Sequence, residues 1–144
     1  MKAFKTIQPK LTDSEYWTVL KYVWTDSENI FANLRFWLRA FSSPRSEREQ
    51  FMSAEERAFL VALPDQITVY RGYRPEFKNQ IGLSWTLSRE IAEKLANRIS
   101  GVRCSGGEVV ERKISKADVF AYCHDDMQEQ EIILTPAALR VLLP

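Results

Sequence analysis

At Pro64 the spacing of apolar residues changes from helical to strand-like, so two halves of different character must share whatever core they build. Before it, Thr12, Asp13 and Ser14 offer N-caps for a segment with Tyr16, Val19, Leu20 and Val23 at helical spacing. Asp26 and Ser27 offer a second cap, followed by Ile30, Leu34, Trp37, Leu38 and Phe41 on one stripe, which Ser42-Ser43-Pro44 breaks. Ser53 and Glu56 form a capping box for a third helix bearing Phe59, Leu60 and Leu63, which stops at Pro64 because proline disfavours helix in the residue before it.

After Pro64 the pattern is of short strands. Ile67-Thr68-Val69-Tyr70 predicts a strand ending at Arg71-Gly72, and Gly82 to Thr86 a second. Ser88 caps a helix with Ile91, Leu95 and Ile99 on its stripe, closed by Gly101. Further strands are predicted from Glu108 to Ile114, Val119 to Cys123 and Gln128 to Leu134, with a turn at His124-Asp125-Asp126 and an edge strand from Leu139 to Leu143. With 144 residues and neither a repeat nor a low-complexity linker, the chain is expected to be one α+β domain: a helical lobe over 1–64 and a β-rich core over 65–144.

Charge narrows the function classes. The net charge is +1, split as +1 before Pro64 and zero after it, so neither part has the broad basic excess of a nucleic-acid binder. No apolar run reaches the ~20 residues of a membrane span, and the first ten residues lack a signal peptide's apolar stretch, so a cytoplasmic protein is expected. Cys104, Cys123 and His124 are one ligand short of a structural zinc site, which favours free thiols and no metal.

Three features could carry chemistry. In a strand, Glu129 and Glu131 project to one face. Two such carboxylates in a cleft could steady a developing cation and orient or deprotonate an acceptor; on an open face they would be solvated. Arg71 stands at a strand end beside Gly72, where its fork suits a phosphate or carboxylate and glycine permits close approach; it could equally pair with Glu76 or Asp65. Ser84 and Thr86 share a strand face opposite Trp85, to position a ligand or simply to hydrogen-bond along the strand.

Tyr70-Arg71-Gly72, then Leu83-Ser84-Trp85-Thr86-Leu87-Ser88-Arg89-Glu90 running into a helix, then Glu129-Gln130-Glu131 on a late strand resembles the arginine–serine–glutamate class of ADP-ribosyltransferases. The resemblance covers Ile67 to Leu134, about half the chain, and rests on the order of three individually weak motifs. It implies two small, mainly antiparallel sheets around an NAD cleft, in a bacterial or phage-borne enzyme acting in its own or a host cytoplasm. Arg71 would bind the NAD phosphates and ribose, and the main chain at Gly72 the nicotinamide amide. Ser84 would steady the glutamate and the ribose, with Thr86 and its hydroxyl in the place of the motif's last serine. Glu131 would stabilise an oxocarbenium-like transition state as nicotinamide leaves, and Glu129 would engage an acceptor guanidinium. The implied activity is mono-ADP-ribosyl transfer to arginine of an intracellular protein, with NAD as substrate and no metal. Trp85 departs from the pattern's small central residue, and the Cys123–Gln128 stretch is short where these enzymes recognise acceptors.

The rivals are an NAD glycohydrolase with the same Glu131, a non-catalytic binding domain of the same fold, and transfer to nucleic acid, which the near-neutral charge disfavours. Trp17, Trp24 and Trp37, with Phe31, Phe36 and Phe41, are expected in the helical core, some of them covering one side of the cleft. Arg35, Arg39, Arg45 and Arg48 form a basic cluster, either solvated or touching an acidic partner, and His124 is expected to be a turn residue.

Overall fold

A computed structural model describes residues 2–27, 30–99, 102–124 and 129–142. Four helices come first: α1 (Lys2–Ile7), α2 (Asp13–Thr25), α3 (Leu34–Phe41) and α4 (Ala54–Ala62). Strands β1 (Gln66–Tyr73) and β2 (Ser84–Thr86) precede α5 (Arg89–Ala96). Then follow β3 (Arg98–Ile99), β4 (Val102–Arg103), β5 (Glu108–Ser115), β6 (Val119–Cys123), β7 (Glu131–Leu134) and α6 (Pro136–Leu142). The fold is mixed α+β, with two antiparallel sheets: a five-stranded one in the order β5-β1-β2-β7-β6, and the β3-β4 pair.

Local chemistry starts the two best-marked helices. Thr12 and Glu15 make a reciprocal capping box on α2, and Ser53 and Glu56 make one on α4. Strand alternation then decides which helices cover which face. Ile133 joins Leu83, Phe120 and Ala121 in a core with Phe4, Trp17, Leu20, Trp24, Trp37 and Phe41. Ile132 and Leu134 point the other way, into a core with Ile67, Val69, Trp85 and Ala138, against which Leu60 and Leu63 pack. The large sheet thus lies between the α1–α3 lobe on one face and α4 with α6 on the other.

Helix α5 packs by a third device. A β-carbon at Gly72 would stand 2.1 Å from the Ala92 carbonyl oxygen, and one at Gly107 2.1 Å from that of Ala96. Glycine on the strand side and alanine on the helix side let the backbones approach this closely.

Several boundaries differ from those expected. Asp26 and Ser27 close α2 instead of opening a helix, because their amides bond back to the Tyr22 and Trp24 carbonyls at 3.0 and 3.1 Å. A 3-10 turn over Phe31–Asn33 leads into α3, and Ile30 precedes it. Strand β1 continues through Arg71 and Gly72 to Tyr73, since β5 pairs with it along that whole length. Helix α5 ends at Ala96, placing Ile99 in β3, because Asn97 turns to bond the Cys104 and Gly107 amides. Residues from Leu139 form a helix instead of an edge strand: Thr135 caps it through the Ala138 amide, and Pro136 occupies its first position, where no amide is needed. Gly101, the Asp125-Asp126 turn, Gln128 and Leu143 lie outside the described residues.

Candidate functional site

Register builds the site. Thr86 pairs with Glu131 and Ser84 with Ile133, so Ser84, Thr86 and Glu131 share the sheet face on which Ile133 meets the helical lobe. Trp85 turns to the opposite core, where its indole N–H donates to the Gly82 carbonyl at 2.8 Å. Tyr70, Arg71, Gly72, Ser84, Trp85, Thr86, Leu95, Glu129 and Glu131 line one cleft of about 310 Å³. All six expected site residues are therefore brought together. The cleft lies on the larger sheet with α5, and β3-β4 contributes nothing to its lining.

Glu131 is held from two sides. The Ser84 hydroxyl donates to Oε1, and the Trp24 indole N–H donates to Oε2 at 2.9 Å. The second donor comes from the helical lobe, 107 positions away in sequence. Trp24 is itself wedged against Trp37 and Phe41, with ring centroids 4.8 and 5.2 Å away.

Arg71 is fixed as firmly. Its Nε donates to the Asn79 carbonyl at 3.0 Å and its Nη1 to the Ser84 carbonyl. Gly82 makes room for the guanidinium, since a β-carbon there would lie 2.7 Å from Nη2 and 2.8 Å from Cζ. Burial pushes the guanidinium down to about 10, while the nearby charge of Glu131 pulls it back up, so Arg71 stays cationic at neutral pH. It pairs with neither Glu76 nor Asp65: Arg74 takes Glu76, and Lys116 lies 3.7 Å from Asp65.

Three expected roles change in detail. Strand β7 begins at Glu131, and Gln130 has a left-handed backbone (φ 45°), so strand alternation does not place Glu129, which lines the cleft from the segment before the strand. The Thr86 hydroxyl donates to the Glu129 carbonyl at 2.7 Å and accepts from the Ser88 amide at 3.1 Å. It thereby ties that segment to the start of α5, work done within the chain. The space above the Gly72 α-carbon is filled by α5, so glycine is required there by packing. Trp24 and Gly82 were singled out by no motif. An aromatic helical stripe does not reveal which indole faces a distant carboxylate, and Gly82 was legible only as the start of a strand.

Elsewhere, Trp17, Trp24, Trp37, Phe36 and Phe41 are buried, whereas Phe31 is 44% exposed. His124 is exposed; its amide donates to Glu56 at 3.0 Å and its Nδ1 lies 3.3 Å from the Tyr122 hydroxyl. Cys104 and Cys123 are not joined in a disulfide, and the second is buried. Among the described residues, no group of three His, Cys, Asp or Glu side chains could hold a metal ion, and no helix is long and apolar enough to cross a membrane. Compared with known proteins, the chain matches no family model, no curated protein and no solved structure.

Proposed function

We propose that the chain is an NAD-dependent mono-ADP-ribosyltransferase acting on arginine of an intracellular protein. The observation that carries this reading is the carboxylate of Glu131, held by Ser84 and Trp24 in a cleft that also contains cationic Arg71. An NAD-cleaving site needs these two charges: a cation for the pyrophosphate and a fixed anion where the ribose becomes positive.

In this reading the bond between ribose C1′ and the nicotinamide nitrogen breaks, its electron pair leaving with neutral nicotinamide. Positive charge develops over C1′ and the ring oxygen, and Glu131 stabilises it more than it stabilises intact NAD. A guanidine nitrogen of the acceptor then bonds to C1′ and gives up its proton. Glu129, on the same cleft, orients that guanidinium and receives the proton. With water in place of the guanidine, the same site is a glycohydrolase.

Nicotinamide release from NAD is the test, measured for wild type and Glu131→Ala with and without a small guanidine acceptor. Release that requires Glu131, accelerates with acceptor and leaves ADP-ribosylated guanidine supports the transferase. Release indifferent to acceptor, with free ADP-ribose as product, supports the glycohydrolase. No release and no NAD binding would overturn both and leave a binding domain. Losing the carboxylate should cost about 10²–10³ in rate.

A further inference from the structure

The near-zero net charge hides a strong segregation. Residues 2–10 carry Lys2, Lys5 and Lys10, residues 30–46 carry Arg35, Arg39 and Arg45, and neither segment contains an aspartate or glutamate. Because the whole chain is +1, the remaining residues sum to −5. The fold places the two basic segments side by side: Phe4 of α1 meets Phe36 of α3 edge-on at 6.1 Å, and Lys5 Nζ lies 5.2 Å above the Phe36 ring.

Two adjoining hollows open along this seam, of about 940 and 810 Å³, each more than twice the empty space of the cleft at Glu131. Lys5, Phe36 and Arg39 line both; Arg45 lines the larger and Arg35 the smaller, and among the described residues no carboxylate lines either. Asp13 neutralises Arg45 at 3.0 Å, but the ion pairs of the described residues do not include Lys5, Arg35 or Arg39, all exposed.

We infer that this seam docks an acidic segment of a partner protein. Arginine forks and a lysine around a hollow match carboxylates on a short extended chain. A nucleic-acid strand fits less well. It needs exposed rings for its bases, yet Tyr16 and Phe36 are buried beneath Arg45 and Lys5, leaving Phe31 as the open ring of the seam. Its phosphates would also run on past the seam, where the rest of the chain is net negative and repels them.

The seam stands apart from the catalytic reading, and the test keeps them apart. A fluorescein-labelled oligoglutamate peptide and a single-stranded DNA of equal length are titrated by anisotropy at low and at physiological salt. The peptide should bind, more weakly as salt rises, and Arg39→Glu should weaken it at least about tenfold. Lys94→Glu makes the same change of charge on α5, where Lys94 pairs with Glu90, and should leave affinity within about twofold. Glu131→Ala should bind like wild type. Since Arg39 and Lys94 are exposed, both variants should keep the wild-type circular dichroism. No peptide binding, equal losses in Arg39→Glu and Lys94→Glu, or tighter binding of the DNA would each overturn the inference. If Glu131 proves inert toward NAD while the peptide binds as expected, the catalytic reading fails and the docking seam stands.

Discussion

Both carboxylate oxygens of Glu131 accept hydrogen bonds from distant parts of the chain, Ser84 on one side and Trp24 on the other. Donors of this kind favour the ionised form and fix its orientation, so each should bear on any chemistry that uses the charge. Trp24→Phe keeps a ring against Trp37 and Phe41 while removing the N–H together with part of the indole's bulk. A hydrogen bond to a charged group is worth roughly 1.5–3 kcal/mol, so the maximal rate of nicotinamide release should fall at least about tenfold while KM stays within about twofold. The acid limb of the pH–rate profile should also move to higher pH, because the carboxylate has lost a donor that favours its charge. A raised KM with an unchanged maximal rate would mean that Trp24 touches NAD instead of setting Glu131. The sequence suggested that some lobe aromatics cover the cleft, but not which of them reaches Glu131. Order and spacing singled out Arg71, Ser84 and Glu131, which the fold brings onto neighbouring strands, but the indole arrives across the core from another lobe.

At the scale of elements, Glu56 does two jobs. It closes the capping box of α4 through the Ser53 amide at 2.7 Å, and it joins α4 to α2 through Lys21 and to the end of β6 through the His124 amide. Burial opposes its ionisation, but the bonds from Lys21 and the two amides prevail and hold its carboxyl below the ordinary 4.5. A carboxylate with a depressed folded pKa stabilises the fold above its unfolded pKa, and that contribution is lost as pH falls through the folded value. Glu56→Gln should therefore destabilise by about 1–3 kcal/mol near neutral pH, and the gap to wild type should narrow below about pH 4.5 in urea titrations at stepped pH. A gap that persists unchanged to low pH would assign the loss to packing.

The packing of α5 makes a second element-scale prediction. Gly107→Ala would push a methyl against the Ala96 carbonyl, which belongs to the helix backbone and cannot rotate away. Overpacking of this kind costs about 1–3 kcal/mol, or about 2–4 °C of melting temperature per kcal/mol in a chain this long. An unchanged melting temperature would show that α5 shifts freely. The same contrast explains what sequence reading reached. The capping box at Ser53/Glu56 and an N-cap among Thr12, Asp13 and Ser14 are local, and so were legible. The stop of α5 at Asn97 depends on amides seven and ten residues later, and the helical state of residues 136–142 on packing of Ala138 and Leu139 against two cores. From Leu139 on, the residues that Thr135 caps and Pro136 opens as a helix were expected as an edge strand, because a short apolar run fits a strand as easily.

For the whole molecule, the two cores share one wall. Ile132 and Leu134 face α4 and α6, Ile133 faces the α1–α3 lobe, and Phe120, Ala121 and Cys123 of β6 join the latter. Uncovering either face would expose buried Ile, Leu and Phe side chains and destabilise the strands that hold Glu131 in place. The helical lobe and the sheet should therefore unfold together. Tryptophan fluorescence reports mainly on the lobe, which holds Trp17, Trp24 and Trp37, whereas proton chemical shifts of Val69, Ile114 and Ile132 report on the sheet's other face. Urea transitions from the two probes should coincide in midpoint and slope. A chain lacking residues 1–47 should fail to give a cooperative transition, because Leu83, Phe120, Ile133 and Leu139 would lose their cover. Separated midpoints, or a folded sheet without the lobe, would make the lobe a detachable module. The Trp24–Glu131 bond would then be a contact between two units able to part, and the site one that opens and closes with them.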